Sequence, residues 1–307
     1  MTSSKQILFS AILSLTCIFL TPLFSKGQEN ENDTTEHREV EWNFEGTTNA
    51  SFSDVGLSQW AAGGRSSTSL SGVLNFKKER ATDINDWESR LRTGYGVTRV
   101  GDSDNPFRKT DDYIILLSKL NRDFWENFEF SGSIDFRTQM RRGYRYGPDG
   151  TQLETINMFM APGFLVSSLG IEYSPTEQLS ATLSPAASKT TFVLRDEIDP
   201  TLYGLETGDN VGNEIGGSFS LFFDYRLIEN VRFENELLLF SEYEDPLPLD
   251  VNWETHLRLR VNDYISVTFG THLIYNEDIQ IPDGEDDYTA GVQFRRALQV
   301  GFNYELF

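Results

Sequence analysis

From Trp42 onward the chain alternates apolar and polar side chains with few interruptions. The cleanest stretch runs from Phe128 to Arg141. Phe128, Phe130, Gly132, Ile134, Phe136, Thr138 and Met140 fall on one face, and Glu129, Ser131, Ser133, Asp135, Arg137, Gln139 and Arg141 on the other. A β-strand points successive side chains to opposite faces, so this stretch has one apolar, aromatic-rich face and one face carrying charges of both signs. About 9 to 11 tilted residues cross a bilayer core, and this alternation is long enough to do so.

The same pattern predicts twelve strands: Trp42 to Val55, Ser66 to Lys78, Asp86 to Val100, Lys109 to Leu120, Phe128 to Arg141, Phe159 to Ser174, Gln178 to Leu194, Glu214 to Leu227, Val231 to Tyr243, Val251 to Val261, Ile265 to Tyr275 and Tyr288 to Phe307. Pro185 cannot donate to a ladder and marks a bulge or bend. The run Ile114-Ile115-Leu116-Leu117 has no alternation, so its facing is left open. The predicted connections alternate long and short, as expected of an outer-membrane barrel with both termini in the periplasm. The outer ones include Gly101 to Arg108, Arg142 to Met158, Arg195 to Asn213 and Asn276 to Asp287. The inner ones shrink to Ser174 to Glu177, Ile228 to Asn230 and Asn262 to Tyr264. The first two hairpins fit less well, since Lys77 to Asn85 is about as long as Gly56 to Arg65. Three residues from Asn262 to Tyr264 keep two all-odd apolar stripes on one face, an independent parity check.

The fold class expected is therefore all-β, a transmembrane antiparallel barrel of about 12 strands. A secreted barrel with its apolar stripe inward shows the same alternation. Against it stands the charged stripe: a twelve-stranded circle is too wide to fill with apolar side chains, so the polar face goes inside and the aromatics meet lipid.

The only long apolar run, Ile7 to Leu20, follows Lys5 and precedes the small-x-small pair Ser25 and Gly27, the layout of a cleaved signal peptide over residues 1–27. Residues 28–41 (QENENDTTEHREVE) read as an acidic periplasmic leader, and 42–307 as the barrel. Cys17 is the single cysteine and lies inside the apolar run, so the mature chain has no thiol and no disulfide. Losing Lys5 and Lys26 moves the formal charge from -21 to -23. Nucleic acid is excluded as a partner, because phosphate contacts need a basic surface. The expected partners are outer-membrane lipid and, through the aromatic-ended last strand, the barrel assembly machinery.

The stretches Leu57 to Gly64 (LSQWAAGG), Gly94 to Asp102 (GYGVTRVGD), Phe107 to Asp112 (FRKTDD) and Asn157 to Gly163 (NMFMAPG) together resemble a domain-of-unknown-function family of predicted outer-membrane barrels from the Bacteroidota lineage. The resemblance spans about residues 42 to 195. It implies location and fold and brings no catalytic residues.

Candidate chemistry lies on the polar stripe and in the outer loops. Arg90, Arg92, Arg137, Arg141, Arg258 and Arg260 are expected in the lumen beside Glu88, Glu129, Asp135, Glu234, Glu236 and Glu254. Such charges either set the selectivity of a pore or pair across strands and plug it. If Val261 opposes Ile265, Glu254 opposes His272 and His256 opposes Gly270, which brings two imidazoles beside a carboxylate. No motif marks a nucleophile, although Ser266 or Thr268 shares the face, so a polar lumen network is favoured over a hydrolase. Trp60 in the first outer connection is either an exposed docking indole or an interface anchor. The outer loop with Asp283, Glu285, Asp286 and Asp287, and another with Asp196, Glu197, Asp199, Glu206 and Asp209, could attract divalent cations but lack a defined calcium spacing. The sequence thus predicts no enzyme, no cofactor and no specific metal site, and leaves two roles open: a small channel, or a structural or partner-binding membrane protein. A hydrolase or a soluble binding barrel remain the alternatives.

Overall fold

A computed structural model describes residues 42–306 apart from 57–65, 83, 102–103, 148–150, 248 and 283–287. The signal peptide, the leader, Trp60, Asp283, Glu285, Asp286, Asp287 and Phe307 lie outside the described residues.

Twelve long strands form one closed antiparallel barrel. They are β1 (Trp42–Val55), β2 (Ser67–Ala81), β3 (Asn85–Val100), β4 (Arg108–Trp125), β5 (Phe128–Thr138), β8 (Gly163–Thr176), β9 (Leu179–Phe192), β10 (Val211–Ile228), β11 (Val231–Glu242), β12 (Asp250–Arg260), β13 (Ile265–Tyr275) and β16 (Gln293–Glu305). Neighbours in sequence pair in turn, and β1 meets β16 from Thr47 opposite Glu305 to Ala50 opposite Phe302, which closes the ring. Two ribbons stand in the outer connections: β6 (Gly143–Tyr146) with β7 (Gln152–Asn157), and β14 (Gln280–Pro282) with β15 (Tyr288–Ala290).

The barrel is inside out. Leu298 is 71% exposed and faces outward, whereas inward-facing Glu172 is 3% exposed and Glu254 6%. The outer face carries a continuous apolar stripe through Phe44, Phe52, Phe130, Leu169, Ile215, Phe269, Phe294 and Phe302, all exposed. Burying aromatics against lipid, not against other side chains, is the only arrangement in which this surface is stable. Near the short-turn end the rings cluster into a girdle: Phe124 stacks on Phe130 at 4.3 Å, Phe128 meets Tyr173 at 4.9 Å, and Trp42 meets Trp87 at 5.5 Å. Lys78 also faces outward here, with its ammonium 4.1 Å from the Trp42 ring, an amphipathic anchor for the membrane interface.

The connections are more regular than the sequence indicated. β2 continues to Ala81, so the β2–β3 turn shrinks to residues 82–84, where the Thr82 hydroxyl bonds the amide and carbonyl of Asn85. β4 likewise continues to Trp125, with Asn127 at a positive φ of 59° in the tight turn that follows. The clearest differences lie on the long-loop side. β5 ends at Thr138, not Arg141, because the Asp112 carboxylate takes the amides of Met140 and Arg141 out of the ladder at 2.8 and 2.9 Å. Tyr288 opens no barrel strand but pairs back on Pro282 in the β14–β15 ribbon. The Pro185 irregularity is present: the β9–β10 register shifts between Gly216 and Ser218.

The outer connections carry a small apolar core of their own, in which Met158, Ala161, Val193, Ile198 and Leu205 pack together with Tyr203 against them. The Tyr203 hydroxyl donates to the Ile156 carbonyl at 2.8 Å, and a short 3-10 turn, Pro200–Leu202, is capped by Asp199. This core ties the β6–β7 side of the mouth to residues 193–205.

The lipid-facing assignment makes a stability prediction. Leu169→Arg, at the middle of the outward face of β8, should destabilise the barrel by about 2–4 kcal/mol. Gln299→Arg, on the inward face, should change stability by only about 0.5 kcal/mol. Equilibrium urea unfolding of the refolded protein in phosphatidylcholine vesicles reads both, and equal costs would contradict the facing.

Candidate functional site: a charge network across the lumen

Pairing puts directly opposed residues on one face, so the inward set can be traced around the barrel. Arg92 opposes Ile115, Ile115 opposes Arg137, and Arg137 opposes Phe164. On the far wall Glu236 opposes Glu254, and Glu254 opposes His272. The predicted register at the histidines is the one observed, with His256 opposite Gly270.

Two carboxylates directly opposed on adjacent strands repel. Here they are held by cations from the other side of the ring. Arg92 on β3 reaches Glu254 Oε2 at 3.0 Å, and Arg137 on β5 reaches Glu254 Oε1 at 3.1 Å. Arg90 on β3 meets Glu236 on β11 at 3.3 Å while its Nε holds Glu88 at 2.6 Å. In the ring order β3 and β11 are six strands apart by either route, which makes them opposite walls. Twelve strands about 4.8 Å apart and tilted by about 40° would close into a circle roughly 24 Å across. An arginine and a glutamate meeting head to head span only about 15 Å between Cα atoms. The section is therefore drawn into an oval along the line of these ion pairs.

The network is braced from both sides. Arg137 is forked onto Asp135, with Nε and Nη2 each 2.9 Å from a carboxylate oxygen. Arg92 Nη2 lies 3.1 Å from His256 Nε2 and its guanidinium covers the Tyr113 ring. His272 Nε2 stands 3.1 Å from Asn252 Oδ1 and 3.7 Å from Glu254. Arg295, inward on β16 opposite His272, pairs with Asp111.

This waist separates two chambers. One of about 430 Å³ opens beneath the outer loops, bordered by Tyr203, Ile281 and Asn276 above and by Arg92, Arg137 and Glu254 below. Another of about 350 Å³ lies toward the short turns, bordered by Arg226, Arg258, Gln299 and Thr268. Arg92, Asp111, Tyr113, His256 and Arg295 border both.

Of the lumen residues expected from sequence, Arg90, Arg92, Asp135, Arg137, Glu254, His256, Arg258 and His272 face inward, and all but Arg258 meet in or beside the waist. Arg258 lies nearer the short-turn end and pairs with Glu234 at 2.8 Å. Arg141 corrects the expectation: it sits beyond the end of β5, exposed, with its amide on Asp112 and its carbonyl accepting from Lys109 Nζ at 2.9 Å. Sequence reasoning did not single out Tyr113, Lys189, Asn252 or the Asp111–Arg295 pair. Buried Lys189 joins Glu214 at 2.6 Å, Asp250, and Asp278 at 3.5 Å, linking β9, β10, β12 and an outer loop. The signal for Asp111 was hidden because the run Ile114 to Leu117, apolar at every position, left the facing of β4 open; in the structure Asp111 shares the inward face with Tyr113 and Ile115.

The histidines hold no hydroxyl: the Nε2 atoms go to Arg92, Asn252 and Glu254. Ser266 opposes Arg260, six residues along the strand from His272, or roughly 20 Å. Of the outer-loop acids that the structure describes, Glu197 pairs with Arg142 at 2.8 Å and Asp199 caps the 3-10 turn. Among the described residues no group of three or more histidine, cysteine or acidic side chains is placed to hold a metal ion.

Fold and lumen together define a twelve-stranded transmembrane β-barrel with a charge-bridged interior. Residues 52–144 match the family described as "Protein of unknown function (DUF3078)". No curated protein matches the sequence. Among solved structures the chain is similar to the translocator domain of autotransporter NalP from Neisseria meningitidis, at 11% identity and a TM-score of 0.36, covering 98% of this chain and 97% of that one. It is also similar to OmpF of Salmonella typhi, determined in complex with daunomycin, at 10% identity and a TM-score of 0.27, covering 87% of this chain and 98% of the other.

Glu254 carries the waist, so its loss should leave Arg92 without its acid and Arg137 with Asp135 alone. Glu254→Ala is expected to destabilise the barrel by about 3 kcal/mol, the low end for a broken buried pair, because Arg92 and Arg137 keep some water contact. Arg258→Ala, at an exposed pair, should cost under about 1 kcal/mol. Urea unfolding in vesicles separates the two, and equal costs would mean that the waist does not brace the fold.

Proposed function

We propose that the protein is an outer-membrane barrel, exported by its N-terminal segment, that admits small solutes through a lumen constricted at the waist. The observation that carries this reading is the pairing of Arg90, Arg92 and Arg137 with Glu236 and Glu254 from opposite walls. A wide pore has no use for side chains that join its two sides. A purely structural barrel has no use for chambers of about 430 and 350 Å³ on either side of them. Ion pairs fit a constriction because they are soluble in both forms: closed, each charge is matched, and parted, each is hydrated by lumen water.

The role is non-enzymatic. Its support is that both imidazoles are committed to the charge network, their Nε2 atoms set against Arg92, Asn252 and Glu254. Lipid is the partner of the outer face, and the alternating aromatic last strand, β16, is the segment offered to assembly machinery. A partner-binding role is the second reading, favoured by the small apolar core of the outer connections, which gives the mouth an ordered surface.

Single-channel recording in planar bilayers tests the constriction. The parent should show small, discrete steps, and Arg137→Ala and Glu254→Ala should each raise the unitary conductance several-fold without changing heat-modifiable migration. Equal conductance in all three proteins would remove the waist as the constriction. Absence of current in every one would overturn the channel reading and leave the partner-binding role.

A further inference from the structure

The inward face is not polar throughout. On the loop side of the waist the residues that point into the lumen include the apolar Ile115, Phe164, Val166, Leu238, Phe240 and Ile274, contributed by β4, β8, β11 and β13. All six border the 430 Å³ chamber. On the other side of the waist the inward face is mainly polar, with Lys119, Ser133, Ser168, Ser220, Glu234 and Thr268, and is apolar at Leu117 and at Phe222 beneath Arg90. A lumen built only for water and ions gains nothing from an apolar wall concentrated in one half, because apolar surface against water is unfavourable.

The floor and rim of this chamber are charged but matched. Arg92 and Arg137 meet Glu254 and Asp135, Arg295 meets Asp111, and Lys189 is surrounded by Glu214, Asp250 and Asp278. Among the described residues each cation here meets an acid, and around Lys189 acids outnumber it. An anion entering would leave water without gaining a free partner and would face surplus carboxylates. A polar neutral group, by contrast, can share the hydrogen bonds of Asn252 and His272 on the floor. The volume falls in the range of small-molecule sites, about 300–1,000 Å³, whose walls are mainly apolar with a few polar groups to orient the ligand.

We propose that the outer chamber is a binding site for a compact, uncharged, largely apolar molecule carrying one hydrogen-bonding group. The apolar body lies against Phe164, Leu238 and Phe240, and the polar group points down to Asn252 and His272. This deepens the small-solute reading and rests on it only for the route of entry. Binding is read by heat and conduction by current, so either can fail alone.

The test is isothermal titration of the full barrel in lipid nanodiscs, with empty nanodiscs as the blank for partitioning into lipid. The probes are 2-naphthol and 2-naphthoate, which share a ring system and differ in charge. The parent should bind 2-naphthol saturably at one per barrel, and 2-naphthoate at least tenfold more weakly. Leu238→Asn and Phe164→Ser should each weaken 2-naphthol at least tenfold, whereas Leu238→Met, which keeps volume and polarity, should stay within about threefold. Heat-modifiable migration checks that each variant is folded. No saturable heat above the blank, undiminished binding in both folded wall variants, or equal binding of the anion would each overturn the proposal.

Discussion

Within the hydrocarbon of a bilayer there is no water to satisfy a backbone amide or carbonyl, so a spanning sheet must leave no open edge. That constraint sets most of what this chain does. It requires β1 to find β16, and with the ring closed, every strand has two neighbours. It fixes side-chain alternation relative to lipid, because a one-residue slip would carry Asp135 and Arg137 outward and Phe136 inward. It also explains where the sheet rules relax. The ribbon β6–β7, the ribbon β14–β15 and the capped turn at Pro200–Leu202 all lie at the loop end, beyond the spanning strands, where polar backbone can meet water or neighbouring loops.

The interior answers to a second force. Glu236 and Glu254 sit opposite each other on adjacent strands and would repel if the barrel were a hollow circle. Arginines from β3 and β5 cross the lumen to meet them, and the short reach of the two side chains draws the walls together. The waist is thus a consequence of which charges stand at one level of the lumen: Glu236 and Glu254 on β11 and β12, and Arg90, Arg92 and Arg137 on β3 and β5. The imidazoles of His256 and His272 fill the remaining contacts of the Glu254 carboxylate, which accounts for their position without invoking catalysis. Above the waist the lining turns apolar, and the mouth is held by the contacts of Met158, Val193, Ile198 and Leu205. The two halves of the lumen therefore differ in chemistry, and the waist is the boundary between them.

Alternation from Trp42 to Leu306 was sufficient to read a barrel of twelve strands, the direction of most side chains and the Glu254–His272 register, since each follows from a period of two and the parity of short turns. Parity failed where the ladder ends, beyond Thr138. There, hydrogen bonds from side chains such as Asp112 decide where the backbone leaves the sheet, and Arg141 leaves the lumen wall with it. The runs Ile114 to Leu117, Phe164 to Val166 and Leu237 to Phe240 were the legible sign of the outer chamber. A strand apolar on both faces is covered on both faces, by lipid outside and by a nonpolar space within. Read one face at a time, they look like interruptions of the pattern.

By itself the sequence determined the kind of fold and which residues share a face, because both are local properties of a strand and its nearest turn. Only the tertiary structure decided which charge meets which. Arg92 and Glu254 are separated by more than half the chain and by five strands of the ring, and nothing periodic links them. Their contact exists because closure places β3 across from β12, and Coulomb attraction inside a narrow lumen does the rest.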